Sequence, residues 1–347
     1  MTAAVLDRVG RIDGRYAARW ALALLGAAGV FGVLVATKGA NPLDVYRSMW
    51  STITSTTSFD GILLKATPLV LAALAVAVPA RAGLVNVGGE GQLVIGGVAA
   101  AGVSLALGGR LPGEVVLVLM CVGGALGGAL WSALAAALRL LVGINEAVST
   151  LLLNYLAINV MSFLIYDRWK DRQGSGQPAS RPLPVAQRFP LLGSSKVHAG
   201  LLVAVVATGV IWWVLRSTRW GFQLRVVGGN PEAARRAGIR VGATLLSAMI
   251  VGGALAGLGG VTQLAGAEFK LRPGFLLTYG YVGFLASWLA RHKPVRVAVA
   301  ALVLAAISVS GDSLQLDSAL PAATVNVLMA LVLLAVFGWT TRKVART

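Results

Sequence analysis

The residues of this 347-residue chain that could do chemistry are few, and they are hydrogen-bonding groups set in apolar surroundings. One group lies in Arg81-Ala-Gly-Leu-Val-Asn86-Val-Gly-Gly-Glu90-Gly-Gln92, where one carboxylate and two amides stand among glycines. Polar, glycine-rich backbone is tolerated at membrane depth only where protein buries it or it lines a wet cavity. The segment therefore reads as a broken or tightly turned helix pair beside a solute path, or as a short cytoplasmic turn. A second group is Asn145, Glu146, Ser149, Thr150 and Asn154. Glu146, Thr150 and Asn154 follow one another at four-residue steps on one helix face, with Asn145 and Ser149 on its flank. Such a face can meet solute, or it can join helices through hydrogen bonds of ~0.6 kcal/mol each, the commoner use.

Bond-making chemistry finds little support. Cys121 is the one cysteine and sits in an apolar run, and His198 and His292 fall in connecting segments as ordinary loop residues. No metal-ligand spacing, nucleophile elbow or G-x-x-x-x-G-K-[ST] phosphate loop occurs in the sequence. The chain is expected to be no enzyme and to hold no cofactor of its own.

Composition defines the elements that carry these groups. Hydrophobic residues make up 57% and charged residues 12%, with a mean hydropathy of +0.78. A soluble protein of this length could not cover its surface with so few charges, whereas a bilayer hides apolar area. Crossing ~30 Å of hydrocarbon takes ~20 apolar residues in a helix. Stretches near that length fall at 20–37, 62–80, 92–108, 113–138, 147–166, 200–215, 242–266, 277–290, 295–310 and 320–339, of which 277–290 and 295–310 are short. Strand-type alternation is absent, which argues against a barrel. The expected fold is all-α: a polytopic transmembrane helix bundle of about ten spans. Gly123/Gly127, Gly124/Gly128 and Gly253/Gly257 are small-xxx-small pairs that permit close helix approach, and Pro68 is expected to kink the second span unless neighbours satisfy the freed carbonyl.

The formal charge of +17 suggests nucleic acid until the basic residues are placed. With the N-terminus inside, 18 of the 30 Lys and Arg residues share its side and 12 face the other. Half of those 12 lie in the long segment 167–199, where charge has little influence on topology. Both termini are therefore expected in the cytoplasm: a basic tail over 1–19 with Arg8, Arg11, Arg15 and Arg19, one transmembrane domain over 20–340, and a second tail over 341–347. The charge is the positive-inside bias, so the partner it implies is a lipid bilayer and no nucleic acid. Two loops stand out, an external one at 167–199 and a cytoplasmic one at 216–241.

The cytoplasmic loop has local logic. After Gly229, Asn230 is a good N-cap, Pro231 suits the first helical position and Glu232 complements the helix dipole. Ala233, Ala234, Arg235 and Arg236 continue the turn, and Gly238 supplies a left-handed stop. A helix of about two turns is marginal alone and needs something to pack on. It reads equally as a plug for a partner's groove and as a solvated loop that happens to be capped.

Three stretches resemble one family. Val227-Gly-Gly-Asn-Pro-Glu-Ala-Ala-Arg-Arg-Ala-Gly238 resembles the coupling-helix loop of permease subunits in binding-protein-dependent ABC importers, in the branch for simple sugars, nucleosides and branched-chain amino acids. Gly83-Leu-Val-Asn86-Val-Gly-Gly-Glu90-Gly-Gln92 and Ile144-Asn-Glu-Ala-Val-Ser-Thr-Leu-Leu-Leu-Asn-Tyr155 are similar to the nucleoside-type permeases. The resemblance runs over roughly 60–340 and implies a multi-pass protein of a bacterial plasma (inner) membrane. It implies three partners: an ABC ATPase subunit that binds ATP and Mg, a second permease subunit, identical or homologous, and an extracellular or periplasmic solute-binding protein. Gly229, Asn230, Pro231, Glu232, Ala233, Ala234, Arg235 and Gly238 would couple to the ATPase. Asn86, Glu90, Gln92, Asn145, Glu146, Ser149, Thr150 and Asn154 would line the path or break helices. Nucleosides are favoured, with simple sugars or branched-chain amino acids as alternatives. An ion-coupled secondary transporter is the rival class, but it would place charges at span centres, whereas Glu90 and Glu146 sit near the cytoplasmic boundary. Tyr279, Tyr281, Phe284 and Trp288 could stack on a ring-shaped solute or anchor at the interface. Around them the sequence departs from the family's glycine- and alanine-rich run.

Overall fold

A computed structural model describes residues 14–174, 176–317, 321, 324–332 and 334. Arg8, Arg11, the 341–347 tail and nearly half of the 320–339 stretch lie outside these residues. The helices are α1 (Gly14–Thr37), α2 (Pro42–Thr54), α3 (Thr56–Ala80), α4 (Gly89–Leu107), α5 (Gly113–Ala137), α6 (Glu146–Tyr166), α7 (Gly200–Ser217), α8 (Arg219–Gly229), α9 (Pro231–Arg236), α10 (Val241–Gln263), α11 (Tyr279–Leu289) and α12 (Pro294–Asp317). One π-helical turn extends α5 over Leu138–Val142 and another extends α10 over Leu264–Glu268.

Among the described residues seven helices are long and apolar enough to cross a bilayer, the π-turns included in the third and sixth: 56–80, 89–107, 113–142, 146–166, 200–217, 241–268 and 294–315. The protein is thus a polytopic helical membrane protein, but the expected ten spans are not reached. The 277–290 stretch shrinks to α11, whose 11 residues span only ~16 Å, about half the hydrocarbon. Left-handed backbone at Leu276 and Thr278 stops that helix from starting earlier. The 20–37 stretch carries a shorter apolar helix, Leu25–Thr37, within α1. Conversely, the short-looking 295–310 stretch lies inside the 24-residue α12.

Contacts divide the chain into residues 56–306 and a smaller unit of 1–55 with 307–347. In the smaller unit Phe31, Val35, Val45, Met49, Leu314, Val325 and Leu328 form the core, and the Tyr46 hydroxyl donates to the Ala28 carbonyl at 2.5 Å. The larger unit is organised around α10, which packs on α3, α4 and α5. It can touch all three because glycine emerges on several of its faces. A Cβ on Gly253 would overlap the Gly128 carbonyl of α5, one on Gly257 the Gly124 carbonyl, and one on Gly260 the Leu93 carbonyl of α4. Gly123 and Gly127 of α5 face Val103 and Ala99 of α4 instead. The two glycine stripes of α5, one residue apart in sequence, thus serve two different neighbours. α3 stays helical through Pro68, and the Thr67 hydroxyl donates to the Leu63 carbonyl at 2.8 Å.

The 167–199 segment, expected as an external loop, is packed rather than slack. Ser180 N–H donates to the Leu271 carbonyl at 2.9 Å, Leu183 N–H to Phe269 at 2.7 Å and Phe189 N–H to Ala265 at 2.9 Å. Arg188 lies 4.2 Å over the Phe269 ring, and buried Gln187 accepts from the Ser104 hydroxyl of α4. His198 is not an ordinary loop residue. Its ring is buried, stacked on Phe189 at 5.8 Å, and its Nδ1 accepts from Gly200 N–H at 3.1 Å. Burial lowers its pKa to about 4, and burial together with Arg81 lowers that of His292 to about 4. Both values lie below the ordinary 6.5, so the unfolded chain takes up protons that the folded chain refuses. The stability these two imidazoles contribute is complete above about pH 6.5 and is lost as pH falls toward 4. The melting temperature in detergent should drop progressively over that window, and the double variant His198→Gln/His292→Gln should flatten the profile. A parent profile flat from pH 7.5 to 4.5 would count against it.

Candidate functional site

Between α3 and α4 the chain leaves helical geometry for residues 81–88 and does so inside the protein. Gly83, with φ 80°, makes the turn. Residues beyond it run without regular structure against α6, and side chains of α6 satisfy backbone groups there. The Glu146 carboxylate accepts from Val85 N–H at 3.0 Å, the Thr150 hydroxyl from Val87 N–H at 3.2 Å, and the Asn154 carbonyl from Gly91 N–H at 2.8 Å. The Asn154 amide also donates to the Val87 carbonyl at 3.0 Å. These three α6 side chains stand four residues apart on one helix face, and the third reaches past the turn to the first turn of α4. Arg139, at the end of α5, closes an ion pair on Glu146.

Asn86 and Gln92 hold the segment from within. Their side-chain amides exchange two hydrogen bonds of 3.0 Å, and Asn86 adds one to the Ala75 carbonyl of α3 at 3.2 Å and accepts Gly88 N–H at 3.0 Å. Gly88 and Gly91 bring the backbone this close: a Cβ on Gly88 would lie 2.8 Å from Thr150 Cβ, and one on Gly91 2.9 Å from Asn154 Cα.

Glu90, 1% exposed, reaches the other way. It accepts Thr278 N–H at 2.6 Å and Gly280 N–H at 2.8 Å, the free donors at the start of α11. The positive end of a half-length helix thus receives a carboxylate from the same chain. Gly280 has no alternative there, since a Cβ would overlap the Glu90 backbone.

The structure therefore brings Asn86, Glu90, Gln92, Glu146, Thr150 and Asn154 into one buried network joining α3, α4, α6 and α11. Ser149, also buried, bonds back to the Glu146 carbonyl, and exposed Asn145 caps α6 by accepting Ala147 N–H at 2.8 Å. The aromatic residues divide. Trp288 meets the His292 ring edge at 4.9 Å and Phe284 at 5.8 Å, whereas partly exposed Tyr281 approaches the Asn154 amide at 3.5 Å.

The 216–241 loop is two helices rather than a coil with one. α8 was not expected. It is capped by the Thr218 hydroxyl, which accepts Gly221 N–H at 3.1 Å. At Asn230 the chain bends into α9, with Asn230 Oδ1 accepting the N–H groups of Glu232 and Ala233 at 3.0 Å each. Gly238 ends the segment at φ 78°. Gly229, Pro231, Glu232, Ala233 and Arg235 are exposed, and Glu232 pairs with Arg235 at 3.0 Å and Arg236 at 3.4 Å. Ala234 is fully buried against its own chain, so it cannot present its side chain to a partner. One contact had no signal in the sequence. Gly228 of α8 sits against the 81–83 turn, where a Cβ would overlap the Arg81 carbonyl oxygen. The Arg81 guanidinium in turn donates to the His292 carbonyl at 2.9 and 3.2 Å.

Fold and junction together define a multi-pass helical membrane protein in which a surface helix pair abuts a buried, hydrogen-bonded break between two spans. The family described as branched-chain amino acid transport system / permease component matches residues 58–337, and the chain belongs to it. It is 36% identical to the glucose ABC transporter permease protein TsgB13 of Haloferax volcanii, over 90% of this chain and 85% of that one. Identity is 30% with the guanosine ABC transporter permease protein NupP of Bacillus subtilis (89% and 88% covered) and 28% with the nucleoside ABC transporter permease protein NupB of Lactococcus lactis (89% and 86%). The chain is a membrane permease subunit of an ABC importer.

Proposed function

We propose that this permease subunit works in a bacterial plasma (inner) membrane with both termini in the cytoplasm. In this reading it pairs with a second permease chain, identical or homologous. ATP and Mg are bound by a separate ATPase that docks on residues 229–238. An extracellular or periplasmic binding protein delivers solute to the opposite face, where the packed 167–199 segment presents Asp171 and Gln177 beside Lys270 and Arg272. The solute is a nucleoside. Permeases named for guanosine and nucleosides among the relatives support this, as do two tyrosine rings, Tyr155 and Tyr281, exposed beside Asn154. A free simple sugar is the second reading, favoured by the 36% identity to a glucose permease.

The observation that carries the mechanism is the seat of Gly228 on the Arg81 carbonyl. A push on α9 travels along α8 into the 81–92 segment. That segment is bonded to α6 through three side chains and to α11 through Glu90, so it moves those helices together. Ala233→Trp tests the docking face, because Ala233 is exposed and a larger side chain there is expected to leave the fold intact. We expect at least a tenfold loss of ATPase co-purification and of ATP-driven uptake in proteoliposomes, with an unchanged melting temperature. Full uptake by the variant would refute the docking face. Uptake by the permease alone under an ion gradient would refute the whole class and favour a secondary carrier.

A further inference from the structure

A cleft of about 410 Å³ opens beside the seat of α8. Five cations line it: Arg81, Arg216, Arg225, Lys293 and Arg296, with no carboxylate among the lining residues. They come from four separate places in the chain, namely the α3–α4 turn, the end of α7, the middle of α8, and the α11–α12 turn with the start of α12. Gathering like charges is unfavourable unless an anion joins them. The bonds they make inside the protein do not neutralise them. Arg81 donates to the His292 carbonyl and Arg225 to the Leu215 carbonyl, both uncharged acceptors, while Arg216 lies 5.5 Å over the Trp212 ring. Glu232 of α9, which follows α8 in the chain, already pairs with Arg235 and Arg236. Burial and the neighbouring Arg225 both hold the Arg81 pKa below its ordinary value.

The rest of the lining is apolar: Trp212, Leu215, Pro294 and Val295. Trp212 and Val295 sit where two spans end, and the helix faces continuing from them stay exposed and apolar, with Val205 and Leu202 on α7 and Val299 and Leu302 on α12. A soluble anion would need only the cations. A molecule with a charged head and hydrocarbon chains would need the cleft and both faces, and the α12 N-terminus adds its dipole to the head. We propose that this cleft binds the phosphate headgroup of an anionic phospholipid, whose acyl chains lie along α7 and α12. Such a lipid bridges α7, α8 and α12, and so braces α8 where it meets the 81–83 turn. The site is independent of which solute the permease carries and of how α9 docks.

Native mass spectrometry of the purified full-length chain in detergent tests this directly, with titrations of phosphatidylglycerol, phosphatidylcholine and inorganic phosphate. Phosphatidylglycerol should be retained at least tenfold more tightly than phosphatidylcholine. In the triple variant Arg216→Gln/Lys293→Gln/Arg296→Gln that preference should disappear, since each cation near an anionic headgroup is worth about fivefold, or roughly a hundredfold for three. Equal binding of the two lipids would overturn the proposal, as would undiminished phosphatidylglycerol binding by the variant. Displacement of the lipid by millimolar inorganic phosphate would reassign the cleft to a free anion and overturn it too. Should the triple variant fail to fold, Lys293→Gln and Arg296→Gln singly, both at exposed positions, carry the same test at about fivefold each; unchanged affinity in both overturns the site.

Discussion

Gly257→Val is expected to prevent the protein from assembling. The added Cβ would overlap the Gly124 carbonyl oxygen of α5 and come within 3.2 Å of Ala125 Cα. Gly96 of α4 packs on the same backbone, since its own Cβ would overlap the Gly257 Cα. Every atom met is backbone or helix core, so no flexible side chain can swing aside. Overpacking commonly destabilises by ~1–3 kcal/mol where neighbours can shift. Here two helices would have to separate from α10, which places the change in the exceptional class of at least ~4 kcal/mol. Gly209 of α7 provides the control, because a side chain there meets nothing within 4 Å. Gly209→Val should fold and elute as the parent does, while Gly257→Val should be recovered only as aggregate. Equal yields of monodisperse protein from both would show that the α5–α10 approach is not as close as described.

Glu90→Leu should have the next largest effect. Leucine fills a similar volume but leaves the Thr278 and Gly280 N–H groups buried without acceptors at the start of α11. Each orphaned buried donor costs ~1–3 kcal/mol, so about 4 kcal/mol is expected for the two. Glu90→Gln should fall between leucine and the parent, since one oxygen still accepts while the amide nitrogen confronts a second donor. The order parent, Gln, Leu in melting temperature separates this capping role from a solute-contact role. A residue that only touched solute would alter uptake and leave all three melting temperatures equal.

Much of this was legible in the sequence because it is governed by local physics. Capping involves neighbours within four residues, so Asn230, Pro231 and Gly238 declared the short helix, and the amide and left-handed turn stand where their residue types require. The four-residue ladder of Glu146, Thr150 and Asn154 was visible as a face for the same reason. α8 was not visible. Arg219–Gly229 is short, holds three glycines and lacks a strong apolar period, and it is helical because Thr218 caps it and buried Leu224 and Val227 pack on neighbours. α11 was overestimated because hydropathy counts apolar residues and does not sense the left-handed backbone at Leu276 and Thr278.

By itself the sequence determined that the chain is helical and membrane-embedded, where its long apolar helices run, and which polar residues share a helix face. These follow from hydrophobic length, helical period and capping, all of which act over a few turns of chain. Only the tertiary structure decided what those faces meet: that α6 holds the non-helical 85–87 backbone as well as the first turn of α4, that Glu90 caps α11 some 190 residues away in sequence, that Ala234 turns inward, and that Gly228 rests on Arg81. Hydrogen bonds and steric fits between distant segments depend on where whole helices come to rest, and no local window of sequence contains that information.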